Sequence, residues 1–287
     1  MDADVQSAYL ARLGLEAEPP SLDALQRLQR QQVEQVPYET MWIHAGESWG
    51  IDPAESAMRI ARHGRGGYCF HLNGAYSELL RSLGYEVTRH VGGVHGPGGP
   101  DREMLTNHLV LTVAGLPTSD HPSGVWYVDA GLGDALYEAL PLAAGAYDQG
   151  PFHLALDTAC DGVGDWHLTH DPAGSFTGMS WRAAPAEMAA FEERHRWLST
   201  APESGFVRVA AAQRRDATGV DIMRGLVLSR VGEGTAPTEP LTDRADWFSA
   251  LAEVFHLRFD GLPDEMLDAL WERTHAGHLA WDAAGRP

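Results

Sequence analysis

The chain has 287 residues, 44% of them hydrophobic and 21% charged, which is enough for a sizeable core in one large or two to three smaller domains. Lys and Arg number 21 against 40 Asp and Glu, a formal net charge of −19. That charge argues against nucleic acid and anionic membrane as partners, and any anionic cosubstrate needs a local positive patch. No run of about 18 apolar residues is present, so no membrane span is expected. The first residues, Met-Asp-Ala-Asp, lack a basic start and an apolar stretch, so no signal peptide is expected. Two cysteines, Cys69 and Cys160, do not make a disulfide framework, and a reducing cytoplasm fits. Cys160 lies in a turn-rich stretch and reads as structural or incidental.

Residues 1–84 read as helices. Val5, Tyr9 and Leu13 form an apolar stripe that Gly14 ends. Ser21 caps a second helix carrying Leu22, Leu25, Leu28, Val33 and Val36. Asp52-Pro53-Ala54-Glu55 has the form of a cap, a proline at the first helical position and an acid in the first turn. Next comes Gly64-Arg65-Gly66-Gly67-Tyr68-Cys69, followed by Leu72, Tyr76, Leu79, Leu80 and Leu83 at helical spacing. Cys69 therefore stands at or just before a helix N-terminus, where the dipole favours thiolate. A free cysteine is most often a small core residue, but a core cysteine has no need of the glycines beside it. Arg59, Arg62 and Arg65 form the densest basic patch near it.

From Tyr85 the period changes to two. Tyr85–Val91 reads as a strand, Gly92–Gly99 as a glycine-rich loop around His95, and Thr106–Val113 as the clearest strand. Val125–Asp129 is a further strand closed by Ala130-Gly131-Leu132-Gly133, and Phe152–Leu156 and Asp165–His170 are shorter ones. In the last third, Phe206–Ala211 and Gly225–Val231 read as strands, and Val231–Pro240 as an exposed loop. Trp247, Leu251, Val254 and Phe255 mark one helix, and Leu262, Met266, Leu267, Leu270 and Trp271 another.

His108 shares a strand face with Val110 and Thr112, and Asp129 ends an apolar strand before a turn. Standing alone, each has an ordinary structural reading. Together with Cys69 they fit one chemistry: Cys69 as nucleophile, His108 taking its proton, and Asp129 fixing the imidazole tautomer. Among 14 histidines the order alone is only suggestive. His63 and His71 flank Cys69, but without a nearby second cysteine, C-x-x-C or H-E-x-x-H no metal is expected.

Five ordered stretches over residues 9–208 resemble the arylamine N-acetyltransferase family. Arg65-Gly-Gly-Tyr-Cys69 resembles its nucleophile motif, Thr106-Asn-His108-Leu its histidine strand, and Val128-Asp129-Ala-Gly-Leu-Gly133 its aspartate turn. Tyr9–Leu15 with Ser21–Leu28 and Val36-Pro37-Tyr38-Glu39 resembles its N-terminal helices and Pro-Phe-Glu-Asn segment, and Trp197–Arg208 a later signature. The resemblance implies an α+β fold: a helical bundle over residues 1–84 carrying the nucleophile, an antiparallel β-barrel over 85–200 carrying His108 and Asp129, and an α/β lid over 201–287. It implies a ping-pong reaction in which acetyl-CoA acylates Cys69 and an arylamine or hydrazine takes the acyl group. It implies a buried Arg65–Glu39 ion pair that positions the cysteine loop, and a substrate pocket that depends on Tyr38, Tyr68, Phe70, His95 and the lid. Three positions depart from the family pattern: Tyr38 for Phe, Thr40 for Asn, and His71 for an acidic residue. These leave the acceptor open, and with it a second branch of the family, amide synthases that take the acyl group from a carrier protein. Papain-like hydrolysis and a non-catalytic binding role are further alternatives, neither with a supporting motif.

Overall fold

The computed structural model describes residues 1–287 apart from 160–161, 235, 237–238 and 285–287. Cys160 and part of the loop expected at Val231–Pro240 thus lie outside the described residues.

Four helices and a short strand open the chain: α1 (Ala3–Leu13), α2 (Leu22–Gln35), β1 (Tyr38–Glu39), α3 (Met41–Ala45) and α4 (Pro53–His63). Their ends follow local chemistry. The Asp2 carboxylate accepts from the amides of Asp4 and Val5, Ser21 Oγ from Ala24, and Asp52 from Ala54 and Glu55. Helix α5 (Cys69–Ser82) begins at the cysteine itself, with Tyr68 as its N-cap. Leu72, Tyr76, Leu79 and Leu80 of α5 pack with Tyr9 and Leu13 of α1, and with Leu25 and Leu28 of α2.

An antiparallel sheet of eight strands follows: β2 (Glu86–His95), β3 (His108–Ala114), β4 (Trp126–Val128), β5 (Leu140–Pro141), β6 (Gly145–Gln149), β7 (Phe152–Thr158), β8 (Trp166–Thr169) and β9 (Gly178–Pro185). Their order is β5-β4-β3-β2-β9-β8-β7-β6, a near-closed barrel. Strand β3 is buried on both faces. Leu109, Leu111 and Val113 join the helical core, while Val110 faces the barrel core with Tyr127, Leu154, Met179 and Trp181. This double burial explains why β3 is apolar on both faces, with Leu109, Val110, Leu111 and Val113 in succession around Thr112.

Beyond the barrel lie α6 (Glu192–Thr200) and α7 (Gly205–Arg208), then β10 (Ala211–Asp216), β11 (Gly219–Arg224), β12 (Val227–Gly232), α8 (Arg244–Glu253) and α9 (Asp264–Ala283). Strand β1 pairs with β10, so the N-terminal part supplies the edge of the C-terminal sheet. Trp247, Leu251, Phe255 and Leu270 build a third core beneath that sheet.

Two expectations are corrected. Phe206–Ala211 is not a strand: α7 occupies Gly205–Arg208, capped by Ser204, and β10 starts at Ala211. The glycine-rich loop expected from Gly92 is strand as far as His95, paired with β9. The glycines serve close packing there. A Cβ on Gly92 would stand 2.7 Å from Val110 Cγ2, and one on Gly93 2.8 Å from the Met104 backbone. Gly93→Ala is therefore expected to displace the segment before His108 and cost about 1–3 kcal/mol. A lowered urea midpoint with an unchanged m-value checks this.

Candidate active site

Cys69 is the first residue of α5, His108 the first of β3, and Asp129 follows the last of β4. The three meet where the helical part abuts the barrel. Gly131 makes the approach possible, because a Cβ there would lie 2.6 Å from Cys69 Cα.

His108 Nε2 is 2.7 Å from Asp129 Oδ2, both side chains being buried. That leaves Nδ1 as the ring nitrogen available to the Cys69 side chain, its other hydrogen-bond neighbour. The sulfur also lies 3.5 Å from the Asn107 carbonyl oxygen. Burial pulls the His108 pKa down, but Asp129 and Cys69 more than offset it and hold it at about 10. The pKa lies above the ordinary value of 6.5, so the stability this ring contributes is complete below pH 6.5 and is lost as pH rises through 10.

Asp129 accepts from three further donors. Asn73 Nδ2 lies 2.7 Å and the Gly131 amide 2.8 Å from Oδ1, and the Tyr127 hydroxyl lies 3.0 Å from Oδ2. Gln29 Nε2 reaches the Asp129 carbonyl at 2.8 Å. Asn73 also donates to Leu109 O at 2.6 Å and accepts from the Ala130 amide at 2.8 Å, tying α5 to both strands. Asn73 and Tyr127 were not singled out from sequence. Their signal was there: Asn73 is four residues after Cys69 on one helix face, and Tyr127 is two before Asp129.

Cys69 and His108 open onto a cavity of about 420 Å³. Its apolar wall includes Val94, Leu132, Phe176, Trp197, Phe206 and Val209, and Tyr38 and Thr40 also line it. Apart from His108, its charged lining among the described residues is Arg194 and Arg224, with no carboxylate. Three expected pocket residues are elsewhere. Tyr68 and Phe70 flank Cys69, but each helical step turns the side chain by about 100°, and both are buried in the core, where Phe70 packs on Phe191. His95 is held in the β2 ladder, its ring stacked on His167 and bonded to Thr177 Oγ1, while its neighbour Val94 faces the cavity. The basic patch is not at the cavity either: Arg59 and Arg65 lie over the Trp49 ring. Among the described residues no group of three His, Cys, Asp or Glu side chains could hold a metal ion, and no helix is long and apolar enough to cross a membrane.

Arg65 and Glu39 are both buried, 3.6 Å apart. The closer partner of Arg65 is Glu47, at 2.8 Å. Burial pushes the Glu39 carboxyl up despite Arg65, and Glu47 adds to the push.

A family model described as N-acetyltransferase matches residues 21–262. The chain belongs to the arylamine N-acetyltransferase family. It is an acyltransferase. It is similar to the pineal gland arylamine N-acetyltransferase of Gallus gallus, 27% identical over 245 residues that cover 78% of this chain and 82% of that one. Arylamine N-acetyltransferase 1 of Homo sapiens is 25% identical over 244 residues, covering 77% of this chain and 81% of the relative. The arylamine N-acetyltransferase structure from Nocardia farcinica superposes with a TM-score of 0.77 at 28% identity, covering 93% of each chain. The Mycobacterium marinum structure in complex with CoA has the same fold, with a TM-score of 0.81 at 23% identity, covering 94% of this chain and 98% of that one.

The two carboxylates that face Arg65, buried Glu39 and half-buried Glu47, separate two roles. Arg65→Gln strands Glu39 and Glu47 together and is expected to cost about 3–5 kcal/mol. Glu39→Gln leaves Arg65 with Glu47 and is expected to cost about 1 kcal/mol. Urea unfolding of both variants against the parent checks the order.

Proposed function

We propose that this enzyme transfers the acetyl group of acetyl-CoA to the nitrogen of an arylamine or hydrazine through an acetyl-Cys69 intermediate. The observation that carries the reading is the buried Asp129–His108 pair turned towards Cys69 at the wall of an apolar cavity. The CoA held by the Mycobacterium marinum relative supports the donor.

The chemistry follows from the proton's position. His108 is placed to take the proton of Cys69, and the thiolate so formed attacks the thioester carbonyl. The His71 and Leu72 amides of α5 donate to the Tyr68 carbonyl, and the Cys69 and Phe70 amides at the helix start receive the developing oxyanion. The C–S bond to CoA then breaks, and His108 gives its proton to the departing CoA sulfur. In the second half the amine nitrogen attacks the acetyl-cysteine, His108 removes the nitrogen's proton, and the amide leaves with Cys69 restored. Asp129 stabilises the imidazolium at both stages, and Asn73 and Tyr127 hold Asp129. The rings of Phe176, Trp197 and Phe206 suit a flat aromatic acceptor. Arg194 and Arg224 supply the local positive charge that an anionic donor needs on a chain of net charge −19.

The test is intact mass after mixing with acetyl-CoA. One acetyl group is expected on the parent and none on Cys69→Ala, and subsequent aniline should discharge it. Asp129→Asn should slow acetylation by about 10³-fold or more. An unmodified but alkylatable Cys69 would rule out acetyl-CoA as donor and turn the search to carrier-bound thioesters.

A further inference from the structure

Behind the nucleophile, away from the cavity, a set of rings joins α5 to α6. Tyr68, the N-cap of α5, places its hydroxyl 2.5 Å from Nδ1 of His195 on α6. His195 Nε2 lies 2.7 Å from the Trp49 carbonyl oxygen. A carbonyl only accepts, so Nε2 carries the hydrogen and Nδ1 accepts from the Tyr68 hydroxyl. Burial lowers the His195 pKa, the cations Arg59 and Arg196 lower it further, and the Trp49 carbonyl and Glu192 oppose them. The neutral ring that this bonding needs is thus the favoured form.

Both ends of the bond are held. The Tyr68 amide donates to Nδ1 of His71, 3.3 Å away, and the His71 amide donates back to the Tyr68 carbonyl at 2.8 Å. Trp42 stacks on Trp49 with centroids 5.0 Å apart, and His71 meets His195 edge-on at 5.6 Å. His71, which stands where the family has an acidic residue, is therefore a ring in this stack. On α6, Arg194, which precedes His195, and Trp197 and Leu198, which follow within three residues, line the cavity that Cys69 opens onto.

We propose that His195 is a positioning residue for acyl transfer: its hydrogen bond from Tyr68 fixes the α6 wall of the acceptor cavity to the helix end that presents Cys69. The sulfur and the acceptor's ring are then held by one rigid unit, and breaking the bond lets the wall move relative to the sulfur. The inference rests on the acyl-transfer reading above. It assigns acceptor binding, rather than Cys69 chemistry, to the bond.

The test is a double-mutant cycle on full-length protein, with phenylhydrazine as acceptor and acetyl-Cys69 stoichiometry by mass as the count of active sites. Tyr68→Phe and His195→Phe are each expected to raise the acceptor KM about tenfold, with acetylation of Cys69 by acetyl-CoA changed less than threefold. The double variant should be no worse than either single. His195→Asn, which keeps an oxygen acceptor where Nδ1 stands, should return KM to within about threefold of the parent. An unchanged KM in Tyr68→Phe, or losses that multiply in the double variant, would overturn the inference. So would a loss that tracks only a smaller fraction of acetylatable protein, since that is the mark of a purely structural role. A parent protein that takes no acetyl group would instead overturn the functional reading, and this inference with it.

Discussion

A carboxylate buried without compensation is among the most costly features a fold can carry, and Asp129 shows how the cost is met here. Four donors converge on it: the His108 ring, the Asn73 amide, the Tyr127 hydroxyl and the Gly131 backbone. They come from β3, α5, β4 and the turn after β4. To satisfy one charge, the helical part and the barrel must dock in a single register. The same docking brings Cys69 against Gly131 with no room for a side chain between them. The elements that stabilise the junction are thus the ones that set the nucleophile and the imidazole face to face, and Asp129 leaves His108 with a positive charge to present.

Charge is distributed with similar economy. The chain carries −19 overall, yet the cavity's charged lining among the described residues is His108, Arg194 and Arg224. The arginines nearest the cysteine in sequence serve structure instead. Arg65 holds Glu47 and neighbours Glu39, and its carbonyl accepts from Arg12 at 2.6 Å. The nucleophile loop is therefore anchored from behind by cations, while the cavity in front draws its positive charge from β3, α6 and β11.

What the sequence made legible was what short-range chemistry decides. Caps at Ser21 and Asp52, the stripe after Cys69 and the alternation of β3 are local, and each element formed where that chemistry placed it. The order of Cys69, His108 and Asp129, with the motifs around them, pointed to the site. What was not legible depended on partners far along the chain. Gly92 and Gly93 read as loop because glycine marks turns, yet they are strand because Val110 and the Met104 backbone leave no space for a side chain. Tyr68 and Phe70 were expected to shape the pocket with Tyr38 and His95, but helix geometry turns them into the core. His195 lies 127 positions from Tyr68, and nothing local to either residue announces the bond between them.

Whether the buried Asp129 keeps His108 positively charged opposite Cys69 is measured most directly by titrating the His108 ring nitrogens by NMR in the intact protein. The expected result is an imidazolium that persists above neutrality and titrates near pH 10, and a titration that falls towards ordinary histidine values in Asp129→Asn. A ring that is already neutral at pH 7 in the parent protein would contradict it.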